Sequence, residues 1–269
     1  MNTGRIPSAW NSLRGAADAF VSILFPAPCH VCRQPLATAS RISVCPDCLN
    51  SLRRIESPVC RQCGRPFPSG PSGHGGGAAP VCRACAAGLY HFDLARSFAR
   101  YDPAMERILT LLKYSPAKPL ACWLACQIEP IVRAEPAFEK VDSVVPVPLD
   151  RGRLRQRGYN QAELIARPLA GRLGLPLTAN LLRRLRPRPP RLKLSRRERW
   201  ETVRGAFQAK PGREVDRAHI LLVDDVLTSG ATLDACASAL YSAGAEAVYA
   251  VTVARVLPRG EIDSPGATL

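Results

Sequence analysis

HILLVDDVLTSGATL, residues 219–233, runs four apolar residues, Ile220 to Val223, straight into two adjacent aspartates. Two hydroxyls, a glycine, an alanine and a third hydroxyl follow. An unbroken apolar run is the pattern of a strand covered on both faces. A carboxylate pair at the carboxyl end of a parallel strand lies in the crevice where α/β proteins bind ligands. Left bare, the two charges repel, so the pair calls for hydroxyl donors or a cation. The small residues that follow let backbone N–H groups approach a phosphate, and the N-terminus of the next helix favours an anion. One loop therefore offers acceptors for sugar hydroxyls and then donors for a phosphate. Asp224 and Asp225 are the expected ribose ligands, and Thr228, Ser229, Gly230, Ala231 and Thr232 the expected cradle for a 5′-phosphate. The spacing GxxxxGK[ST] is absent, which excludes a Walker loop.

Working outward, the same logic repeats. VDSVVPVPL (141–149) reads as a buried strand, and NQAELIARPLAGRLG (160–174) as a helix stopped by Gly174. TLDACASALYSAG (232–244) reads as a second helix and AVYAVTVAR (247–255) as a third strand. Strand, helix, strand, helix, strand is the signature of a parallel α/β sheet. MERILTLLKY (105–114) adds a helix upstream, with an apolar face at Ile108, Leu111 and Leu112.

Residues 28–88 are different in kind. They are rich in Pro and Gly, poor in large apolar residues, and contain four CxxC pairs: Cys29/Cys32, Cys45/Cys48, Cys60/Cys63 and Cys82/Cys85. A thiolate is a strong zinc ligand, a CxxC knuckle aims two sulfurs at one point, and a structural site needs four. Pairing neighbours gives two sites, Cys29, Cys32, Cys45, Cys48 and Cys60, Cys63, Cys82, Cys85; a crossed pairing has compatible spacing. None of the pairs sits at a strand-to-helix junction, as a thioredoxin-like redox motif would. So small and polar a segment cannot bury enough surface alone, and metal closes it. Both sites are complete, so these zinc ions are structural. Cys122, Cys126 and Cys236 lie in apolar helical contexts and read as small buried hydrophobes.

The expected organisation is a leading amphipathic helix (1–27), a double zinc-ribbon domain (28–88), an α/β domain (89–258) and a disordered tail (259–269). PSGPSGHGGGAAP (68–80) reads as a flexible loop. The leading segment has no cleavage site and its apolar run is short, and no stretch is long and apolar enough to span a membrane. Clustered cysteines without an export signal point to the reducing cytoplasm. The chain has 269 residues and a formal charge of +15. Each Zn²⁺ on four thiolates carries a net −2, so the metallated chain stays basic and favours polyanionic partners. Arg151, Arg153, Arg155 and Arg157 follow the first strand. RRLRPRPPRLKLSRRERWETVR (183–204) holds nine Arg and one Lys against two Glu. On a nucleic-acid surface Arg153, Arg155, Arg196 and Arg197 would contact phosphates, with Trp200 or Tyr159 stacking on bases.

VDDVLTSGATL looks like the loop of type I phosphoribosyltransferases that binds phosphoribosyl pyrophosphate (PRPP). Together with the four knuckles, FDLARSFARYDPAMERILTLLKY, VDSVVPVPLDRGRLRQRGYNQAELIA and LSRRERWETVRGAF, it resembles the ComF family of competence proteins over residues 20 to 256. That resemblance implies a double zinc ribbon followed by a type I phosphoribosyltransferase fold with a parallel central sheet. It implies PRPP with Mg²⁺ as ligand, single-stranded DNA as a partner in natural transformation, and a DNA-uptake helicase as a protein partner. The alternative reading is an active transferase of nucleobase or nucleotide metabolism. In either, Asp224 and Asp225 hold the ribose, Arg157 and nearby amides hold pyrophosphate, and Arg199 belongs to the segment that closes over PRPP. Lys113, of the KY element, faces the crevice or serves as a helix-end cation. Arg188 and Arg191 stand where the family has Thr and Gln, and Thr202 where it has Asn; these departures bear on catalysis rather than on binding.

Overall fold

A computed structural model describes residues 28–36, 42–67, 80–115, 117–186 and 196–257, without the side chains of residues 196, 197 and 199. The expected leading helix, most of the 68–80 loop and the expected tail lie outside the described residues. The described residues up to Leu52 belong to one compact unit and those from Arg53 onward to a second.

The first unit holds the first cysteine tetrad, with the short helix α1 (Pro46–Asn50) opening directly after Cys45. The second unit opens with the second tetrad, in which α2 (Arg83–Ala86) follows Cys82 in the same way. The two tetrads repeat one backbone design. Cys29 N–H donates to the Gln34 carbonyl and Cys60 N–H to that of Arg65. The residue after the second cysteine has positive φ in both, Arg33 at 68° and Gly64 at 68°. Only Gly64 needs to be glycine for space, because a Cβ there would stand 2.5 Å from the Ala95 carbonyl oxygen. The second knuckle is pressed onto the sheet at that point. The second tetrad thus shares a compact unit with the strands.

The sheet contains β1 (Leu94–Arg100), β2 (Ser143–Pro146), β5 (His219–Leu227) and β6 (Ala247–Arg255), all parallel, in the order β1-β6-β5-β2. Between them come α3 (Pro103–Tyr114), α4 (Lys118–Arg133), α5 (Arg151–Arg157), α6 (Gln161–Leu173), α7 (Arg196–Val203) and α8 (Ala231–Ser242). A two-stranded antiparallel ribbon, β3 (Leu182–Arg184) with β4 (Phe207–Ala209), stands apart from the main sheet. Helices cover both faces, α6 packing on β2 and β5 and α8 on β4, β5 and β6. Side chains alternate along a strand, so Ile220 and Leu222 join Leu233 and Ala237 of α8 in one cluster, which also includes all four cysteines of the second tetrad. Every residue of β6 is buried, as a central parallel strand requires.

The chain reads as expected at β2, β5, β6, α3, α6 and α8. β5 runs two residues beyond the expected ILLVDD stretch, to Leu227, and holds both aspartates as expected. Cys236 is buried as expected, but Cys122 is exposed and Cys126 half-buried: the buried stripe of α4 runs through Leu120, Ala121, Leu124, Ala125, Ile128 and Val132, and Cys122 falls beside it.

Candidate ribose-phosphate cleft and metal tetrads

Asp224 and Asp225 lie on the floor of a cleft of about 360 Å³ that Lys113, Arg157, Thr228 and Thr232 also line. Both aspartates are buried. The Asp225 N–H donates to Asp224 Oδ1 at 2.8 Å. Lys113 comes in from the last turn of α3, its Nζ 2.7 Å from Asp225 Oδ2. Of its two sequence readings, the crevice-facing one holds. The pair is asymmetric: Lys113 pairs directly with Asp225 and only weakly offsets the charge of Asp224. Burial, and then the Asp225 charge, push the Asp224 carboxyl well above the usual carboxylate range. A buried carboxyl in that condition loses its proton to solvent when a cation or donating ligand hydroxyls arrive to stabilise the carboxylate.

The expected phosphate loop follows. Gly230, at φ 85°, turns the chain into α8. Ser229 Oγ accepts from Ala231 N–H at 3.4 Å. Thr228 and Thr232 line the cleft, whereas Ala231 is buried and faces a larger cavity beyond α8. That cavity, about 820 Å³, is lined by Trp200, Phe207 and Asp234 among others and holds no second residue of the expected ribose-phosphate set. Size therefore does not select the site; the carboxylate pair, the cations and the glycine turn do.

Gly230→Ala tests the turn. A left-handed backbone costs a non-glycine residue about 1–2 kcal/mol, and the added Cβ would stand 2.4 Å from Tyr90 Cε1. The melting temperature is expected to fall by at least about 3 °C. Gly158→Ala, at φ 75° with nothing near the new Cβ, isolates the backbone share, and calorimetry of the two variants separates the ring displacement.

Arg157 lines the cleft at the end of α5, with Nη1 2.9 Å from Gln161 Oε1 and its guanidinium 5.8 Å from the centre of the Tyr114 ring. Arg153 lines it too, beside Asp150, whereas Arg155 is exposed outside it. Tyr159 donates its hydroxyl to the Leu112 carbonyl at 3.0 Å, which ties it between α5 and α3. Trp200 is half-buried against Tyr90, ring centres 5.9 Å apart. Arg196, Arg197 and Arg199 stand on α7, and their side chains are outside the described residues. The lining residues that were not anticipated include Tyr101, Asp150 and Arg184. Asp150 hides as an N-cap, accepting from Arg153 N–H at 3.0 Å, and the aspartate before RGRLRQR was the available signal for it.

The metal tetrads pair neighbouring knuckles. The sulfurs of Cys29, Cys32, Cys45 and Cys48 lie within 4.8 Å of one another, as do those of Cys60, Cys63, Cys82 and Cys85. Four thiolates at one point suit zinc. Burial opposes charge on Cys60, but N–H donors from Cys82, Cys63 and Gln62 prevail and bring its thiol down to about 7. Cys29 is brought to about 6, where N–H donors from Cys32, Cys45 and Val31 again outweigh burial. Each tetrad thus has one thiol that backbone donors hold below its ordinary value, whereas Cys48 and Cys85 are pushed up by burial.

Comparison with known proteins agrees with this geometry. Residues 20–86 match the double zinc ribbon domain, and residues 163–264 the phosphoribosyl transferase domain. The DNA utilization protein YhgH of Salmonella typhimurium is 30% identical over 237 residues, 86% of this chain and 98% of the relative. Competence protein ComFC of Bacillus subtilis is 28% identical, covering 79% of this chain and 84% of that protein. Among solved structures, an adenine phosphoribosyltransferase from Leishmania tarentolae aligns over 55% of this chain and 74% of its own, at 16% identity and a TM-score of 0.34. No helix among the described residues is long and apolar enough to cross a membrane.

Proposed function

The chain belongs to the family that joins a double zinc ribbon to a phosphoribosyltransferase domain and includes the YhgH and ComF proteins, and from that premise we propose that it binds PRPP with Mg²⁺ and couples that binding to the handling of single-stranded DNA. The observation that carries the ligand is the buried Asp224–Asp225 pair, answered by Lys113 on one side and by the Gly230 turn into α8 on the other. Asp224 and Asp225 accept from the ribose 2′ and 3′ hydroxyls. Backbone N–H groups of residues 228–232 and the positive end of α8 take the 5′-phosphate. Arg157 and Lys113 face the pyrophosphate. Mg²⁺ entering with PRPP neutralises pyrophosphate charge. The DNA half of the proposal rests on the charge of +15, on exposed arginines such as Arg155 and Arg183, and on the names of the relatives. Arg153, Arg155, Arg196 and Arg197 are the proposed phosphate contacts, and a DNA-uptake helicase is the proposed protein partner.

Calorimetric titration of the zinc-loaded protein with PRPP and Mg²⁺, with and without a short single-stranded oligonucleotide, tests both halves. Saturable binding is expected, with DNA affinity falling by about 0.7 log unit per log unit of salt for each phosphate neutralised. A flat salt response would remove DNA from the proposal. Absence of PRPP binding would remove the ligand. Pyrophosphate release on adding nucleobases would identify an active transferase instead.

A further inference from the structure

The residues that join the second tetrad to β1 also reach the phosphate loop. Tyr90 lies in that joining segment, and its hydroxyl donates to the Ser229 carbonyl at 3.1 Å. Its ring occupies the space that a side chain at residue 230 would need. It is stacked on Phe92 at 4.8 Å and meets Trp200 on another side. The next residue pins the helix that follows the loop: His91 N–H donates to Asp234 Oδ1 at 2.6 Å, and the His91 ring nitrogen Nδ1 lies 3.0 Å from the same oxygen. Asp234 is in the first turn of α8 and is buried. Two successive residues thus hold the loop at Ser229 and at Asp234, on either side of the Gly230 turn.

The same segment is held from the metal side. Gln62, inside the Cys60–Cys63 knuckle, donates its Nε2 to the Phe92 carbonyl at 2.9 Å and to the Tyr90 carbonyl at 3.3 Å. The Gln62 carbonyl accepts from Ala95 N–H at 2.7 Å. A knuckle keeps its shape only while its thiolates share a metal, so the position of Gln62 depends on the ion. Polar contacts then run from knuckle to Gln62, to the Tyr90 backbone, to the Tyr90 hydroxyl, to Ser229.

We propose that Tyr90 is a positioning residue through which metal held by Cys60, Cys63, Cys82 and Cys85 sets the backbone of the 228–232 loop, so that metal occupancy and phosphate binding are coupled. The phosphate half rests on the ribose-phosphate reading above; the loop half does not. Coupling of this kind is reciprocal: if metal favours the phosphate-binding loop, the phosphate ligand must favour retention of the metal.

The experiment is hydrogen exchange on the zinc-loaded full chain, comparing wild type with Tyr90→Phe, which keeps the ring and loses only the hydroxyl, and with Gln62→Ala. Peptides over residues 226–233 are expected to exchange at least about five-fold faster in both variants. Peptides over β2 are expected to be unchanged, and zinc content to remain at two. In wild type, PRPP with Mg²⁺ is expected to slow transfer of one zinc equivalent to a chromogenic chelator, and Tyr90→Phe to lose that protection. Loop exchange at the wild-type rate in both variants would overturn the proposal. Faster loop exchange in a protein that binds no PRPP would uphold the positioning of the loop through Tyr90 and overturn the phosphate half together with the ribose-phosphate reading.

Discussion

Asp224→Asn is expected to raise the melting temperature of the ligand-free protein by about 2–4 °C while weakening PRPP binding about 10–100-fold. The opposite signs come from one cause. Asp224 is buried, has Asp225 as its neighbour, and feels Lys113 only weakly, because that ammonium pairs directly with Asp225. Ionising it in the folded state costs more than ionising it in water. Asparagine keeps an oxygen in position to accept the Asp225 N–H and removes the charge. The pH dependence follows from the direction of the shift. The folded carboxyl binds its proton more tightly than the unfolded one, whose ordinary value is 3.8. Stability from this group is therefore complete below about pH 4 and is lost as pH rises toward the folded value. The gain from asparagine should be absent near pH 4 and largest on the alkaline side, which melting curves across pH will show. Binding has the reverse slope: ribose hydroxyls and Mg²⁺ favour the carboxylate, so PRPP affinity should rise with pH.

Each charge-assisted hydrogen bond to a ribose hydroxyl contributes about 1.5–3 kcal/mol, and each 1.4 kcal/mol is a factor of ten. The double variant Asp224→Asn, Asp225→Asn should therefore lose at least about 10²-fold in affinity with its zinc intact. Asp225→Asn alone is expected to lower stability, because it leaves the Lys113 ammonium in the cleft without its partner. A double variant that binds PRPP normally would show that the ligand sits elsewhere. A destabilising Asp224→Asn would show that this carboxylate is structural.

What the sequence displayed and what it concealed divide along physical lines. The carboxylate pair, the TSGAT turn and the CxxC knuckles are local: a handful of consecutive residues carries the whole pattern, and backbone geometry alone converts it to a shape. β5 and β6 are also plain, because parallel strands covered on both faces have little but apolar residues to offer. β1 is hidden by its own composition. LARSFAR carries Arg96 in mid-strand, where the side chain escapes to pair with Glu135 and with the Arg61 carbonyl, and no apolar run announces the strand. Lys113 had two sequence readings, and only the fold, which brings the end of α3 over β5, chooses between them. Tyr90 is the clearest case of concealment. Its partner Ser229 is 139 residues away, Gly230 is glycine partly to admit its ring, and nothing in the local pattern of either segment refers to the other. Eight cysteines in one stretch look like one module, but the second knuckle is built into the sheet by contacts that composition does not record.

That integration leads to an unequal outcome when the two tetrads are broken one at a time. Cys63→Ser is expected to lower the melting temperature by more than about 10 °C or to leave the chain insoluble, and Cys32→Ser to cost far less. Cys63 is buried and Cys32 exposed. Around Cys63, β1 is held along its edge by the Arg53–Gln62 segment: Arg100 N–H donates to the Arg53 carbonyl, Ile55 N–H to that of Phe98, and Ala95 N–H to that of Gln62. At the end of β6, Arg255 is only 5% exposed and donates Nη1 to the Cys63 carbonyl and Nη2 to Cys63 Sγ at 3.4 Å. Its guanidinium stays charged at any ordinary pH. Take away the thiolate and a buried cation loses its nearest negative partner, a fault that typically costs about 3–5 kcal/mol by itself. Structural zinc contributes about 10–16 kcal/mol in small zinc-folded peptides, against about 5–15 kcal/mol for the whole stability of a domain. Even a fraction of that, lost where the knuckle meets β1, is enough to loosen the sheet that carries Asp224 and Asp225. In the first unit the same chemical loss opens a smaller structure. Differential scanning calorimetry with zinc quantification decides the matter: a main transition preserved in Cys32→Ser and displaced in Cys63→Ser is the expected result, and equal displacement in the two would mean that the second tetrad is no more part of the sheet's stability than the first.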